Sequence, residues 1–260
     1  MQKQPTRDGL DAASEMEPDS CRVCAARRKG ICEHFGVELL RVLSAISGEI
    51  AVRKGAVVAA SGGASTAMLV IKRGEFKAVR TLHDGRHQIV GFAASGDMIG
   101  GPYAEETFDC TFEALTDAVL CESERCDLEL LSSEHPELIR ILLAATFGEL
   151  RKRNNQAVLL GKKNADQRLA VFLLERCVPI EIDGGGGLMT GRANLTMSRS
   201  EIADYLGLTI ETVSRTMSQF KSRGLVRVSQ SKKIDLVDAA GLQRLAGEDV
   251  AARYEARVFM

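Results

Sequence analysis

The 260-residue chain has no tryptophan, only five prolines and 5% aromatic residues, so its core must be built from aliphatic side chains. It also has no long hydrophobic run. Stretches such as AMLVI at 67–71 and ILLAA at 141–145 fall far short of the roughly 20 apolar residues that span a bilayer. The first twenty residues are polar and acidic and lack the apolar segment of a secretory leader, so they read as a disordered arm. The expected setting is cytoplasmic, with no membrane partner. A formal net charge of −1 excludes a wholesale polycation. The glycines at 184–187 follow no G-x-G-x-x-G fingerprint, so Asp183–Gly187 reads as a flexible loop, not a nucleotide cradle. No arrangement of residues suggests a substrate pocket, and no enzyme is expected.

What is present divides the chain. After the arm at 1–20 comes a cysteine-rich segment with a short helix, Val37–Ile46, in 21–46. Residues 47–134 alternate in short apolar segments parted by turn signals such as Arg73-Gly74 and Asp84-Gly85, the pattern of an antiparallel barrel or jelly roll. Within 135–164, Ile139, Leu143, Thr146, Leu150, Arg153, Ala157 and Leu160 recur at alternating spacings of four and three, a helix seam suited to pairing with a second copy. Another helix is expected over Ala165–Cys177, opening a DNA-binding unit at 165–245, with a tail at 246–260. The fold class is α+β: a β-barrel sensor domain, a long dimerisation helix and a C-terminal winged helix-turn-helix.

The last of these rests on several agreeing signals. Ser198 and Glu201 form a capping box for a helix reaching Leu206, Gly207 permits a tight turn, and Thr209 caps a second helix. Ile210, Val213, Met217 and Phe220 would be its buried face, while Glu211, Ser214, Arg215 and Ser218 face outward. Arg215 can grip a guanine through O6 and N7, and Glu211 can accept from a cytosine amino group. A hairpin at Leu225–Val228 and Ile234–Val237, with Ser229–Lys233 at its tip, would be the wing. From Met189 to Lys233 there are eight Lys/Arg against three acids, which suits double-stranded DNA.

Seven cysteines remain to be explained: Cys21, Cys24, Cys32, Cys110, Cys121, Cys126 and Cys177. Their odd number, with no leader, favours reduced thiols or metal ligands over a disulfide framework. Cys21, Cys24 and Cys32 lie within twelve residues, close enough to share one iron–sulfur cubane that takes a fourth thiolate from elsewhere. Arg27, Arg28 and Lys29 would offset its negative charge. Alternatively, Cys21, Cys24, Cys32 and His34 could make a Cys3His zinc site, or the thiols could form a redox switch. Cys110 and Cys121 compete as the fourth thiolate. Cys126 and Cys177 read as inert core residues, and His83, His87 and His135 as surface residues.

The stretch LTMSRSEIADYLGLTIETVSRTMSQFKSRGLVRV at 195–228 resembles the helix-turn-helix of the CRP/FNR family of bacterial regulators, with Glu211–Arg215 (ETVSR) matching its recognition core. The resemblance covers about residues 21–245. It implies that Glu211, Ser214 and Arg215 read a TTGAT-like half-site repeated in a palindrome, that the protein acts as a homodimer, and that RNA polymerase is a partner. The cyclic-nucleotide members carry a Gly-Glu pair followed some ten residues later by Arg-Ser. Here Gly100-Gly101-Pro102 leads to Phe108-Asp109-Cys110-Thr111, with no arginine between Gly100 and Glu124, so no cyclic nucleotide is expected.

The FNR branch has an N-terminal cysteine trio and one central cysteine just before a glutamate, which resembles Val119-Leu120-Cys121-Glu122. That likeness implies a [4Fe–4S] cluster on Cys21, Cys24, Cys32 and Cys121, which oxygen degrades toward [2Fe–2S], releasing the dimer. The trio's second gap is seven residues, against five in the branch's commonest form. The function implied is an oxygen-responsive regulator of low-oxygen genes. A family member with a zinc or thiol-redox site is the alternative, and an iron–sulfur redox protein a more distant one.

Overall fold

Between Ser47 and Glu124, short alternating segments joined by glycine-containing turns form eight strands: β1 (Ser47–Val52), β2 (Val57–Ala59), β3 (Ala67–Arg73), β4 (Glu75–Thr81), β5 (His87–Ala94), β6 (Met98–Ile99), β7 (Thr111–Ala114) and β8 (Ala118–Glu124). They build two antiparallel sheets, ordered β1-β8-β3-β6 and β2-β7-β4-β5. The computed structural model describes residues 18–101, 106–180, 190–230 and 233–247. It separates into two units, one ending at Leu150 and one beginning at Arg151.

Helical elements of the first unit are α1 (Asp19–Arg22), two 3₁₀ turns (Ala25–Arg28 and Gly30–His34), α2 (Val37–Ile46) and α3 (Arg125–Glu134). The long helix α4 (Pro136–Lys162) starts here, its proline at a position where a missing N–H costs nothing. Two cores result. One lies between the sheets and joins Leu69, Ile71 and Leu120 to Phe76, Ala59 and Ala114. The other lies against the outer face of the β1-β8-β3-β6 sheet, where Met68 and Val70 meet Ile31, Phe35, Leu39, Leu43, Leu128, Leu131, Leu138 and Leu142. Strand β3 serves both, because alternate side chains leave a strand on opposite faces.

The cysteine-bearing segment is fastened to the barrel by backbone alone at one point. Ile31 N–H donates to Gly96 O at 3.2 Å. Gly30 sits there at φ 68°, and a Cβ on it would lie 1.9 Å from the Gly96 carbonyl oxygen. Only glycine fits both the conformation and the space.

The second unit contains α5 (Ala165–Glu175), β9 (Cys177–Ile180), β10 (Thr190–Asn194), α6 (Arg199–Leu206), α7 (Ile210–Ser222), β11 (Val226–Gln230), β12 (Lys233–Leu236) and α8 (Ala239–Ala246). Its sheet runs β11-β12-β10-β9, so the expected two-stranded hairpin is half of a four-stranded antiparallel sheet. The helix expected over Ala165–Cys177 stops at Glu175, and Cys177 begins a strand. Helix α3 occupies the end of the segment read as barrel, and α1 starts at Asp19, inside the arm read as disordered. Helix α8 reaches Ala246, the first residue of the expected tail. The Asp183–Gly187 loop, the wing-tip Lys232 and positions 1–17 and 248–260 lie outside the described residues.

Replacing Gly30 by alanine is expected to force the cysteine segment away from Gly96 and to cost about 1–3 kcal/mol. Urea denaturation of metal-free protein measures it. Unchanged stability would show that this close approach does not hold the segment.

Candidate functional site

The recognition face begins with the caps. Ser198 Oγ accepts from Glu201 N–H at 3.2 Å, and Glu201 returns a carboxylate to Ser198 N–H at 2.7 Å. Gly207 takes the left-handed conformation at φ 59°, and Thr209 Oγ1 accepts from Thr212 N–H at 3.2 Å to start α7. Val213, Met217 and Phe220 are buried as the spacing predicts, but Ile210 is 46% exposed. Its place in the core is taken by Thr216, buried and donating to Asp166 Oδ1 at 3.1 Å, which ties α7 to the first turn of α5.

Glu211 and Arg215 are exposed on α7 and Ser214 is half-buried between them. The Glu211 carboxylate accepts from its own backbone N–H and from the Thr209 hydroxyl, which hold its pKa below the usual range. Arg199, on the first turn of α6, donates to Ser214 Oγ at 3.2 Å and so fixes the hydroxyl beside Arg215. Not every basic residue of this unit is available to phosphate. Arg192 on β10 donates to Asp235 of β12, its cross-strand partner, at 2.7 Å.

The cysteines divide by environment. Cys21, Cys32 and Cys121 are half-buried and pack against the core on the outer face of the barrel. Cys21 closes onto the helical start of the segment, Cys24 precedes the first 3₁₀ turn, Cys32 lies in the second, and Cys121 projects from β8. Burial pushes the Cys32 thiol up from 9.0 to about 12, helped by charge on Cys24, Cys121 and Cys21, with Arg27 opposing. Burial also raises Cys121. A hydrogen bond with Ser47 and the Lys72 ammonium lower it, and Cys21 and Glu49 raise it. Cys121 thus shares a floor with Cys21 and Cys32, about a hundred residues away in the chain.

Among the described residues no group of three or more His, Cys, Asp or Glu is drawn tightly enough to hold a bare ion. Cys21, Cys32 and Cys121 share one half-buried floor, Cys24 is half-buried between the first two in sequence, and thiols are soft donors of the kind that thiophilic metals and iron–sulfur groups take. His34, needed for a Cys3His site, is exposed.

The other cysteines fall elsewhere. Cys110 is buried next to β7, in the opposite sheet from Cys121. Cys126 is exposed on the first turn of α3 and Cys177 is half-buried, so neither is the core residue expected. His83 and His87 are exposed, and His135 is half-buried with Nδ1 3.0 Å from Glu137 Oε1. Asp109 is exposed, 4.0 Å from an Arg80 guanidinium nitrogen. Sequence reasoning missed Arg199, Lys72, Glu49 and Ser47. Nothing in a linear pattern joins them to the residues they serve, except that Arg199 neighbours a cap.

Residues 49–135 match the cyclic nucleotide-binding domain and residues 167–245 the Crp-like helix-turn-helix domain. The chain is 31% identical to the transcriptional activator protein FnrL of Cereibacter sphaeroides over 232 residues, covering 88% of this chain and 92% of that one. It is 31% identical to the nitrogen fixation regulation protein FixK of Bradyrhizobium diazoefficiens over 236 residues, covering 89% and 96%. Among solved structures it is similar to FixK2 from Bradyrhizobium japonicum, with a TM-score of 0.69 and 31% identity over 78% of this chain and 98% of that one. These relatives are regulators of transcription. No helix among the described residues is long and apolar enough to cross a membrane.

A thiol with a pKa of about 12 is protonated at neutral pH, and its thiolate fraction grows about tenfold per pH unit until pH reaches that value. In metal-free protein, Cys32 is therefore expected to react with iodoacetamide at least about tenfold more slowly than exposed Cys126 near pH 7, and to go on gaining rate beyond about pH 9, where an ordinary thiol levels off. Peptide mapping by mass spectrometry reads both rates. Equal labelling of the two thiols would show that Cys32 is not held as described.

Proposed function

Because the chain belongs to the CRP/FNR family of transcriptional regulators, we propose that it is an oxygen-responsive member. On this reading it binds a palindromic TTGAT-like operator as a homodimer while a [4Fe–4S] cluster is intact on Cys21, Cys24, Cys32 and Cys121. The observation that carries the reading is that Cys21 and Cys32 of one short segment and Cys121 of β8 pack against the same core on the outer face of the barrel, with Cys24 half-buried between the first two in sequence.

The residues of the chain then have distinct tasks. Cys21, Cys24 and Cys32 bring the N-terminal segment, and Cys121 brings the barrel sheet. When bound, the cluster supplies an oxygen-labile tie between the two. The same core that backs these thiols contains Leu138 and Leu142 of α4, so the state of the segment is felt where that helix begins. Helix α4 leaves Ile139, Leu143, Phe147 and Leu150 exposed on one side, a stripe suited to a second copy of the chain. Phe147 joins the seam read from the sequence because it falls within the same arc of the helix.

Once two copies pair, two α7 helices can enter successive major grooves one DNA turn apart. Arg215 would hold guanine O6 and N7, Glu211 would accept from a cytosine amino group, and Ser214 would support them from its bond with Arg199. Contact with RNA polymerase follows if the chain acts as an activator, as FnrL is described. The absence of arginine from 100–124 supports a sensor that takes no cyclic nucleotide. A zinc site on the same trio is the second reading. Exposed His34 counts against it, as it would have to turn inward to join them.

Protein purified under nitrogen is expected to be brown, with about four irons and four sulfides per chain. Serine at Cys21, Cys24, Cys32 or Cys121 should abolish the absorbance, and serine at Cys110, Cys126 or Cys177 should keep it. A colourless protein holding one zinc would end the cluster reading. Loss of the cluster from Cys110→Ser with retention in Cys121→Ser would reassign the fourth ligand.

Arg215→Ala is expected to cost about 1–3 kcal/mol per half-site and to relax the preference at its guanine. Band-shift titrations against single-base operator variants check this. An unchanged base preference would mean that α7 is registered differently on DNA.

A further inference from the structure

The basic run beside the cysteine trio was the obvious source of compensating charge, yet its best-placed member points elsewhere. Arg27 donates to the carbonyl oxygens of Cys32 at 3.0 Å and Glu33 at 3.3 Å, bracing the loop through its backbone. A further cation at the thiol floor comes from the barrel. Cys121 on β8 stands directly across from Val70 on β3 and directly across from Glu49 on β1. Lys72, two residues beyond Val70, occupies the irregularity where the β3–β8 pairing steps from Ile71 to Arg73. Its side chain is 18% exposed, and its ammonium reaches over the Cys121 strand to form an ion pair with Glu49, which is 56% exposed. That ammonium also feels Cys24 and Cys121.

We propose that Lys72 is a positioning residue for the iron–sulfur group, its ammonium shared between the ligand thiolates and Glu49, so that Glu49 competes for the charge that steadies the group. The inference rests on the cluster reading given above. A [4Fe–4S]2+ core with four thiolates carries a net charge of about −2. Loading therefore creates negative charge where one cation is already placed and half shielded from water, a setting in which a single charge matters. Were Lys72–Glu49 an ordinary surface pair, removing either member would change little.

The test uses the full chain loaded under nitrogen, with release of iron to a ferrous chelator followed by absorbance. Wild-type protein that takes up no iron–sulfur group would defeat the cluster reading itself, whatever the variants do. Given a loaded wild type, Lys72→Met is expected to release iron about three- to tenfold faster, and Glu49→Gln slower by a similar factor. Lys72→Arg, which keeps the charge, should stay within about twofold of wild type. The opposite signs separate a charge effect from a packing effect, since damage to the sheet would speed release in both variants. Acceleration in both, or rates for Lys72→Met and Glu49→Gln within twofold of wild type, would overturn the inference. Should Lys72→Met fail to fold, judged by circular dichroism, the exposed Glu49→Gln site still carries the sign of the effect.

Discussion

Strand β3 is buried along both of its faces, and the barrel side of the molecule is arranged around that fact. Leu69 and Ile71 fill the space between the sheets, while Met68 and Val70 form the floor on which α2, α3, the start of α4 and the cysteine segment pack. Because β8 lies beside β3 in register, its alternation divides in the same way. Leu120 goes into the barrel and Cys121 goes outward to the floor. A slip of one residue in that pairing would exchange the two sides and put the thiol inside the barrel. The register of two strands thus decides that Cys121 faces the floor on which Cys21 and Cys32 also pack.

That floor is also where polar chemistry enters an otherwise aliphatic packing. The thiols, Lys72, Glu49 and Ser47 all lie at its rim, and Ser47 links Leu43 O of α2 to the Ser123 hydroxyl of β8 through bonds of 2.6 and 2.7 Å. Burial raises the thiol pKa of Cys32 and Cys121 above the usual value. The DNA-binding unit uses the opposite strategy. Glu211 and Arg215 are exposed, and order comes from caps at the helix starts and from Thr216 bonded to Asp166 beneath α7.

The sequence was most informative where function depends on short-range geometry. The capping box at Ser198, the turn at Gly207 and the cap at Thr209 are local hydrogen-bond patterns, and the spacing of Val213, Met217 and Phe220 states a helical face directly. It failed at Ile210, because the first turn of a helix can hang clear of its core. It also failed at the wing, where β10 pairs with β12 over a sequence distance that no turn signal announces and β9 adds to its other edge. The charge surplus read from 189–233 overstated what DNA can meet, since Arg192 is committed to Asp235 across the strands.

By itself the sequence determined the family and the order of helix and strand patterns, because each is written in neighbours a few positions apart. It also named the four thiols, but Cys121 only through the likeness of one tetrapeptide to a family pattern, with Cys110 still in competition. The tertiary structure decided what surrounds them. It set Cys110 beside the opposite sheet, left His34 in solvent, turned Arg27 to backbone carbonyls and brought Lys72 and Glu49 to either side of Cys121. The last of these comes from pairing between strands that are distant in sequence and adjacent in space. Only the closing of a sheet brings such residues together.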